Sequence, residues 1–133
     1  MSALLDFSEN LSIYFKKSEN SIENIDLSSI IPFYNEDIWD MSLYSTSPKN
    51  EFKKIDFTLI TEENIGYAKL IMALLLAFSR KDNGKLLAIS TLIGSYYAQV
   101  IVSMSKYASE NKISLLDIFI SSKHLKDYIK IKI

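Results

Sequence analysis

Apolar positions are densest between residues 65 and 105. Ile65 to Ser79 is a run of 15 residues interrupted by one charge, Lys69, and Leu86 to Ser105 is a run of 20 uncharged residues. Six polar residues, Arg80 to Lys85, separate the two. In the second run Leu86, Ile89, Ile93, Tyr97, Val100, Met104 and Tyr107 recur at steps of three or four, while Thr91, Ser95, Gln99 and Ser103 gather on the opposite side. This spacing predicts an amphipathic helix. Leu87, Leu92, Tyr96 and Val102 lie off the main stripe, so the helix should be covered on more than one side. Ser90, Gly94 and Ala98, with Ala73 and Ala77 in the first run, predict small-residue strips where a second helix approaches closely. Asp82-Asn83-Gly84 reads as a turn, because Gly tolerates positive φ and Asn or Asp bonds nearby backbone. The expectation is an antiparallel helical hairpin at the hydrophobic centre of the chain.

A bilayer is the competing destination for such runs. Spanning it takes about 20 mostly apolar residues. The first run is too short, and the polar face of the second has no use in lipid, so no membrane insertion is expected.

Around this hairpin the pattern predicts smaller elements. Residues 3–17 suit a helix with Leu4, Leu5, Leu11, Tyr14 and Phe15 as apolar contacts. Ile25 to Ile31 suits a short helix ended by Pro32. Asn35 suits an N-cap for a helix running to about Ser45, with Glu36 and Asp37 in its first turn and Ile38 and Met41 inward. Residues 46–50 read as a loop. Lys54 to Ile60 alternates polar and apolar, the period of a half-buried strand. Thr61 is placed as the cap of the next helix, and Ser114 with Asp117 resembles a capping box opening a last helix to about Tyr128. Residues 128–133 alternate again, which allows a minor two-stranded pair of 54–60 with 128–133. The predicted fold is a mainly α, single-domain bundle (residues 1–133) of five or six helices.

Composition narrows the chemistry. The chain has 133 residues, 48% hydrophobic and 23% charged, with a formal net charge of −1. That is the balance of a globular domain, not of a disordered chain. There is no cysteine, hence no disulfide or thiolate nucleophile, which suits a reducing, cytoplasmic setting. No signal-peptide pattern opens the sequence. Fourteen lysines against one arginine, with abundant Ile, Ser and Asn, suit an A+T-rich bacterial or phage genome. With His124 the only histidine, a zinc site of the usual Cys/His kind is not expected. The three glycines form no nucleophile elbow, P-loop or dinucleotide fingerprint. Glu62 with Glu63, or Glu36 with Asp40, are carboxylate pairs, but no third group converges on either. The expectation is a non-enzyme with no catalytic residues, no metal and no cofactor.

Charge is divided along the sequence. Residues 1–51 hold nine acids and three lysines, −6; residues 52–133 hold seven acids and twelve bases, +5. Mutual attraction of two packed halves is the plain explanation; surfaces for partners are the sharper one. Lys123, Lys126, Lys130 and Lys132 would meet phosphates, yet only Arg80 is available for the guanidinium contacts that base reading favours. Phe33 to Tyr44 concentrates the single tryptophan, two tyrosines and three acids. On the predicted helix Glu36, Asp37, Asp40 and Tyr44 share a face. Aromatic groups anchor interfaces and acids steer a basic partner. The partner-binding candidates are therefore Glu36, Asp37, Trp39, Asp40 and Tyr44. A small inhibitor of the immunity-protein kind, occluding a basic nuclease-type toxin, fits these features. A phage or plasmid nucleic-acid-binding regulator and a homo-oligomer subunit are the alternatives.

Overall fold

In a computed structural model of the chain, residues 3–17, 27–44, 53–79, 81 and 83–120 are described. The architecture is mainly helical with one small antiparallel ribbon. Helix α1 is Ala3–Lys17. Strands β1, Ile38–Asp40, and β2, Lys54–Asp56, pair in the register Ile38 with Asp56, Trp39 with Ile55, and Asp40 with Lys54. Two 3₁₀ turns, Phe57–Leu59 and Glu62–Asn64, lead into α2, Ile65–Phe78. Helix α3 runs end to end through Ile89–Thr91, Leu92–Ile101 and Val102–Glu110, and the short α4 is Leu115–Ile120. Among the described residues there are thus three long helices rather than the five or six expected.

The central hairpin forms as its pattern requires. At one end the Leu87 N–H donates to the Ser79 carbonyl (3.4 Å). At the other, the Asn64 side chain at the start of α2 donates to the Ser105 carbonyl (3.4 Å) and the Ser109 hydroxyl (3.2 Å) late in α3. The two helices therefore run antiparallel. Gly84, at φ +83°, makes the turn between them, and the Asn83 carboxamide accepts the Lys85 N–H (3.0 Å). Helix α1 lies along α2, where Ser8 and Ser12 both donate to the Ala77 carbonyl (2.9 Å each). That carbonyl is in the last turn of α2 and has no partner within its own helix.

The stripe on α3 departs from the predicted one in its second half. Ile89, Ile93, Tyr97 and Met104 are buried as expected, but Ile101 takes the core position expected of Val100, which is half-buried. Leu92–Ile101 winds as a π-helix, with N–H groups reaching carbonyls five residues back, as Val102 does with Tyr97. The wider turn moves the inward position one residue along. Thr91, Ser95, Gln99 and Ser103 remain on the wetter side. Of the small-residue strips, Ala73 and Ala77 are buried, whereas Ala98 is exposed and Gly94 half-buried. Of the off-stripe residues, Leu92 is buried and Tyr96 exposed.

One apolar cluster spans the described residues, from Phe7 and Leu11 of α1 to Leu115 and Ile118 of α4. Phe7 and Leu11 are buried and Tyr14 half-buried on α1, while the side chains of Leu4, Leu5 and Phe15 lie outside the described ones. No helix among the described residues is long and apolar enough to cross a membrane.

Four expectations need correction. The helix expected from Asn35 to about Ser45 is instead a stretch of turns, then β1. Asp40 accepts the Ser42 N–H (3.0 Å), and this local bond competes with helical hydrogen bonding. Met41 is buried, but Ile38 points outward. The short helix before Pro32 is a single turn, in which the Leu27 carbonyl accepts the N–H groups of Ile30 (3.0 Å) and Ile31 (2.8 Å); residues 25 and 26 lie outside the described ones. The strand at 54–60 stops at Asp56, whose carboxylate accepts the Thr58 N–H (3.0 Å) and turns the chain into 3₁₀. Its partner is β1; the pairing expected with 128–133, the loop at 46–50 and the last helix beyond Ile120 lie outside the described residues. Finally, Thr61 makes no side-chain cap. Its hydroxyl instead bonds that of Ser109 (2.7 Å).

Candidate partner-binding site

The segment from Phe33 to Tyr44 brings its aromatic groups and its acids to opposite sides. Because side chains alternate along a strand, Trp39 turns inward between the outward-facing Ile38 and Asp40. Trp39 is 0% exposed. Its indole N–H donates to the Tyr34 carbonyl (3.3 Å). Phe57 and Phe33 meet its ring edge-on at centroid distances of 4.8 and 5.8 Å, and Tyr34 lies tilted at 5.5 Å. Tyr44 is half-buried and stacks on Phe7 at 4.8 Å. The aromatic part of the sequence-predicted site is therefore core, and no part of Trp39 reaches the surface.

The acids do reach it. Glu36, Asp37 and Asp40 are all exposed. Asp40 accepts from both the hydroxyl and the N–H of Ser42, and these bonds hold its carboxyl below the usual range. Lys54 lies directly across the ribbon from it, and Lys54 and Lys53 act in the same direction. Asp37 is partly engaged: its carbonyl accepts the Phe57 N–H (2.7 Å) and its carboxylate lies 4.0 Å from the Lys69 ammonium. Lys69 is buried on α2 and sits 5.8 Å from the centroid of the Phe57 ring. A buried ammonium is costly without a counter-charge, so Asp37 is bound to that task. Glu36 and Asp40 are exposed and stand outside this ion pair.

Two apolar groups missing from the predicted site stand beside these acids. Ile38 is 46% exposed and Leu43 84% exposed. Helical spacing put Ile38 inside, and its exposure appears only once the segment is extended. The signal was present in Ile38-Trp39, a β-favouring pair, followed by the turn-forming Asp40-Met41-Ser42.

Glu62 and Glu63 are both exposed. Ser109 donates to Glu63 (2.7 Å), which lowers the pKa of that carboxyl. Among the described residues, no group of three or more His, Cys, Asp or Glu converges as a metal site would require. His124, Lys123, Lys126, Lys130 and Lys132 lie outside the described residues. Comparison of the chain with protein-family models, curated proteins and solved structures finds no match.

Proposed function

We propose that this chain is a small, non-enzymatic protein-binding module of the bacterial cytoplasm, an inhibitor that occludes the active site of a basic, nuclease-type toxin. The observation that carries the reading is the pair of exposed carboxylates, Asp40 on and Glu36 just before a ribbon backed by the buried Trp39. A rigid apolar backing keeps the carboxylates in place at little entropic cost on binding. Their charge steers a partner whose lysines and arginines bind nucleic-acid phosphates, and occupying those cations blocks its substrate. Ile38 and Leu43 supply the apolar contact first assigned to Trp39 and Tyr44.

The test is co-expression with the product of the neighbouring gene, followed by affinity purification and a nuclease assay. Glu36→Lys with Asp40→Lys should abolish both capture and inhibition while leaving helicity unchanged. Asp37→Lys is left out, because a lysine there would face Lys69. Capture that survives the double reversal removes this surface from consideration. A chain that stays alone and monomeric in such preparations counts against the inhibitor reading as a whole.

A further inference from the structure

The ribbon has two edges, and among the described residues a neighbouring element bonds only one of them. In an antiparallel pair, residues alternate between those whose main-chain groups bond across the ladder and those whose groups point away from it. The bonds from Met41 N–H to the Lys53 carbonyl (2.6 Å) and from Phe57 N–H to the Asp37 carbonyl (2.7 Å) flank the Trp39–Ile55 pair. The main-chain groups of Trp39 and Ile55 therefore face each other. Those of Lys54 and Asp56 point to the far side of β2, and those of Ile38 and Asp40 to the far side of β1. On the β2 side α3 reaches the edge at Asp56, whose carbonyl accepts from the Tyr97 hydroxyl. On the β1 side no described residue bonds the main chain of Ile38 or Asp40. Both residues are exposed.

An open strand edge is a template for another strand, and the groups beside this one select its occupant. Glu36, Asp37 and Asp40 lie on or just before β1, and Ile38 gives an apolar contact between them. Lys54 flanks Asp40 only from the β2 side. A second copy of the same edge would set these acids against themselves. An extended segment with lysine or arginine at every second residue would set its cations, on their apolar stems, along the face that carries Asp40, Ile38 and Glu36, and its apolar side chains on the opposite face. We propose that the outer edge of β1 takes such a basic segment of the partner as a third strand. This rests on the inhibitor reading above and names its mode of contact.

The probe is the hexapeptide acetyl-Lys-Ile-Lys-Ile-Lys-Ile-amide, titrated into the full-length isotope-labelled chain. Two controls accompany it: the same peptide N-methylated at alternate residues, and its glutamate counterpart. The expected result is saturable binding that weakens with salt, with amide exchange at Ile38 and Asp40 slowed at least about tenfold. Neither control peptide should bind. Ile38→Pro should cut affinity at least about tenfold while Trp39 emission stays native, since proline is tolerated on an edge where its missing N–H faces outward. Should that variant fail to fold, the N-methylated peptide carries the same test.

Absence of binding, equal binding of the N-methylated peptide, or unprotected Ile38 and Asp40 amides at saturation would each overturn the proposal. So would protection of those amides in the free chain, because the edge would then already be filled by a second copy or by the chain itself. The two levels fail differently. If Ile38→Pro keeps capture of the toxin and Glu36→Lys with Asp40→Lys loses it, strand addition is wrong and the acidic surface stands. If the double reversal keeps capture, the inhibitor reading itself falls.

Discussion

Trp39 shows how much a single residue's position depends on the backbone beneath it. On a helix its ring would have stood near Glu36 and Asp40 as part of a surface; on a strand it turns away from both. Fully enclosed by Phe33, Tyr34 and Phe57, it is a stability residue. Trp39→Ala should cost about 3–5 kcal/mol, the range for emptying a large aromatic site, measured by urea unfolding. A cost under about 1 kcal/mol would contradict its enclosure. Tyr97 makes a second prediction at this scale. Burial, with a smaller contribution from Asp56, pushes its hydroxyl far above the usual phenol range, and burial followed by Tyr14 raises Tyr34. The folded chain then holds protons that the unfolded chain releases above about pH 10. Their contribution to stability is complete below that pH and is lost as pH rises further. Unfolding midpoints should fall steeply above pH 10, and Tyr97→Phe should flatten that fall. An unchanged slope in the variant would show that Tyr97 is not the group responsible.

At the scale of elements, terminal groups decide where each helix or strand stops. Ser114 and Asp117 exchange bonds as a capping box, the Asp117 N–H donating to the Ser114 hydroxyl (3.1 Å) and the Ser114 N–H to the Asp117 carboxylate (3.3 Å). This start was legible because all its parts lie within four residues. The end of α2 was not, since its Ala77 carbonyl depends on α1. Ser8 and Ser12 share that acceptor, so each leaves the other behind when removed. Ser12→Ala alone should cost less than about 0.5 kcal/mol. With Ser8→Ala it should exceed the sum of the single losses, since a buried unbonded carbonyl costs about 1–3 kcal/mol. Strict additivity in a double-mutant cycle would show that the two hydroxyls act independently. Gly84 is a simpler case: at φ +83° an added Cβ meets no neighbouring atom. Gly84→Ala should therefore show the backbone cost alone, about 1–2 kcal/mol, in the same unfolding measurement.

For the whole molecule, Asn64 is where separate parts of the chain are tied together. Its carboxamide N–H groups reach Thr61, Ser105 and Ser109, and its oxygen accepts the Leu115 N–H (2.8 Å). One fully buried side chain thus joins the start of α2, the end of α3 and the start of α4. Asn64→Leu should destabilise the chain by about 2–3 kcal/mol, since it strands buried polar partners. Amide exchange should accelerate first at Leu115 and its neighbours; uniform exchange across all helices would refute this local role. Sequence alone was enough for the mainly helical class, the antiparallel central hairpin, its Asn83-Gly84 turn, most of the α3 stripe, the capping box and the acidic segment. Each of these is written in residues close enough along the chain to meet through periodicity or local hydrogen bonds. Tertiary structure decided the rest. It made residues 38–40 a strand by giving them Lys54–Asp56 as a partner, buried Trp39, drew Asp37 towards Lys69 and left the main chain of Ile38 and Asp40 unbonded by any other described residue. Those outcomes depend on groups far apart in sequence, whose pairing energy outweighs local preference and leaves no periodic trace to read.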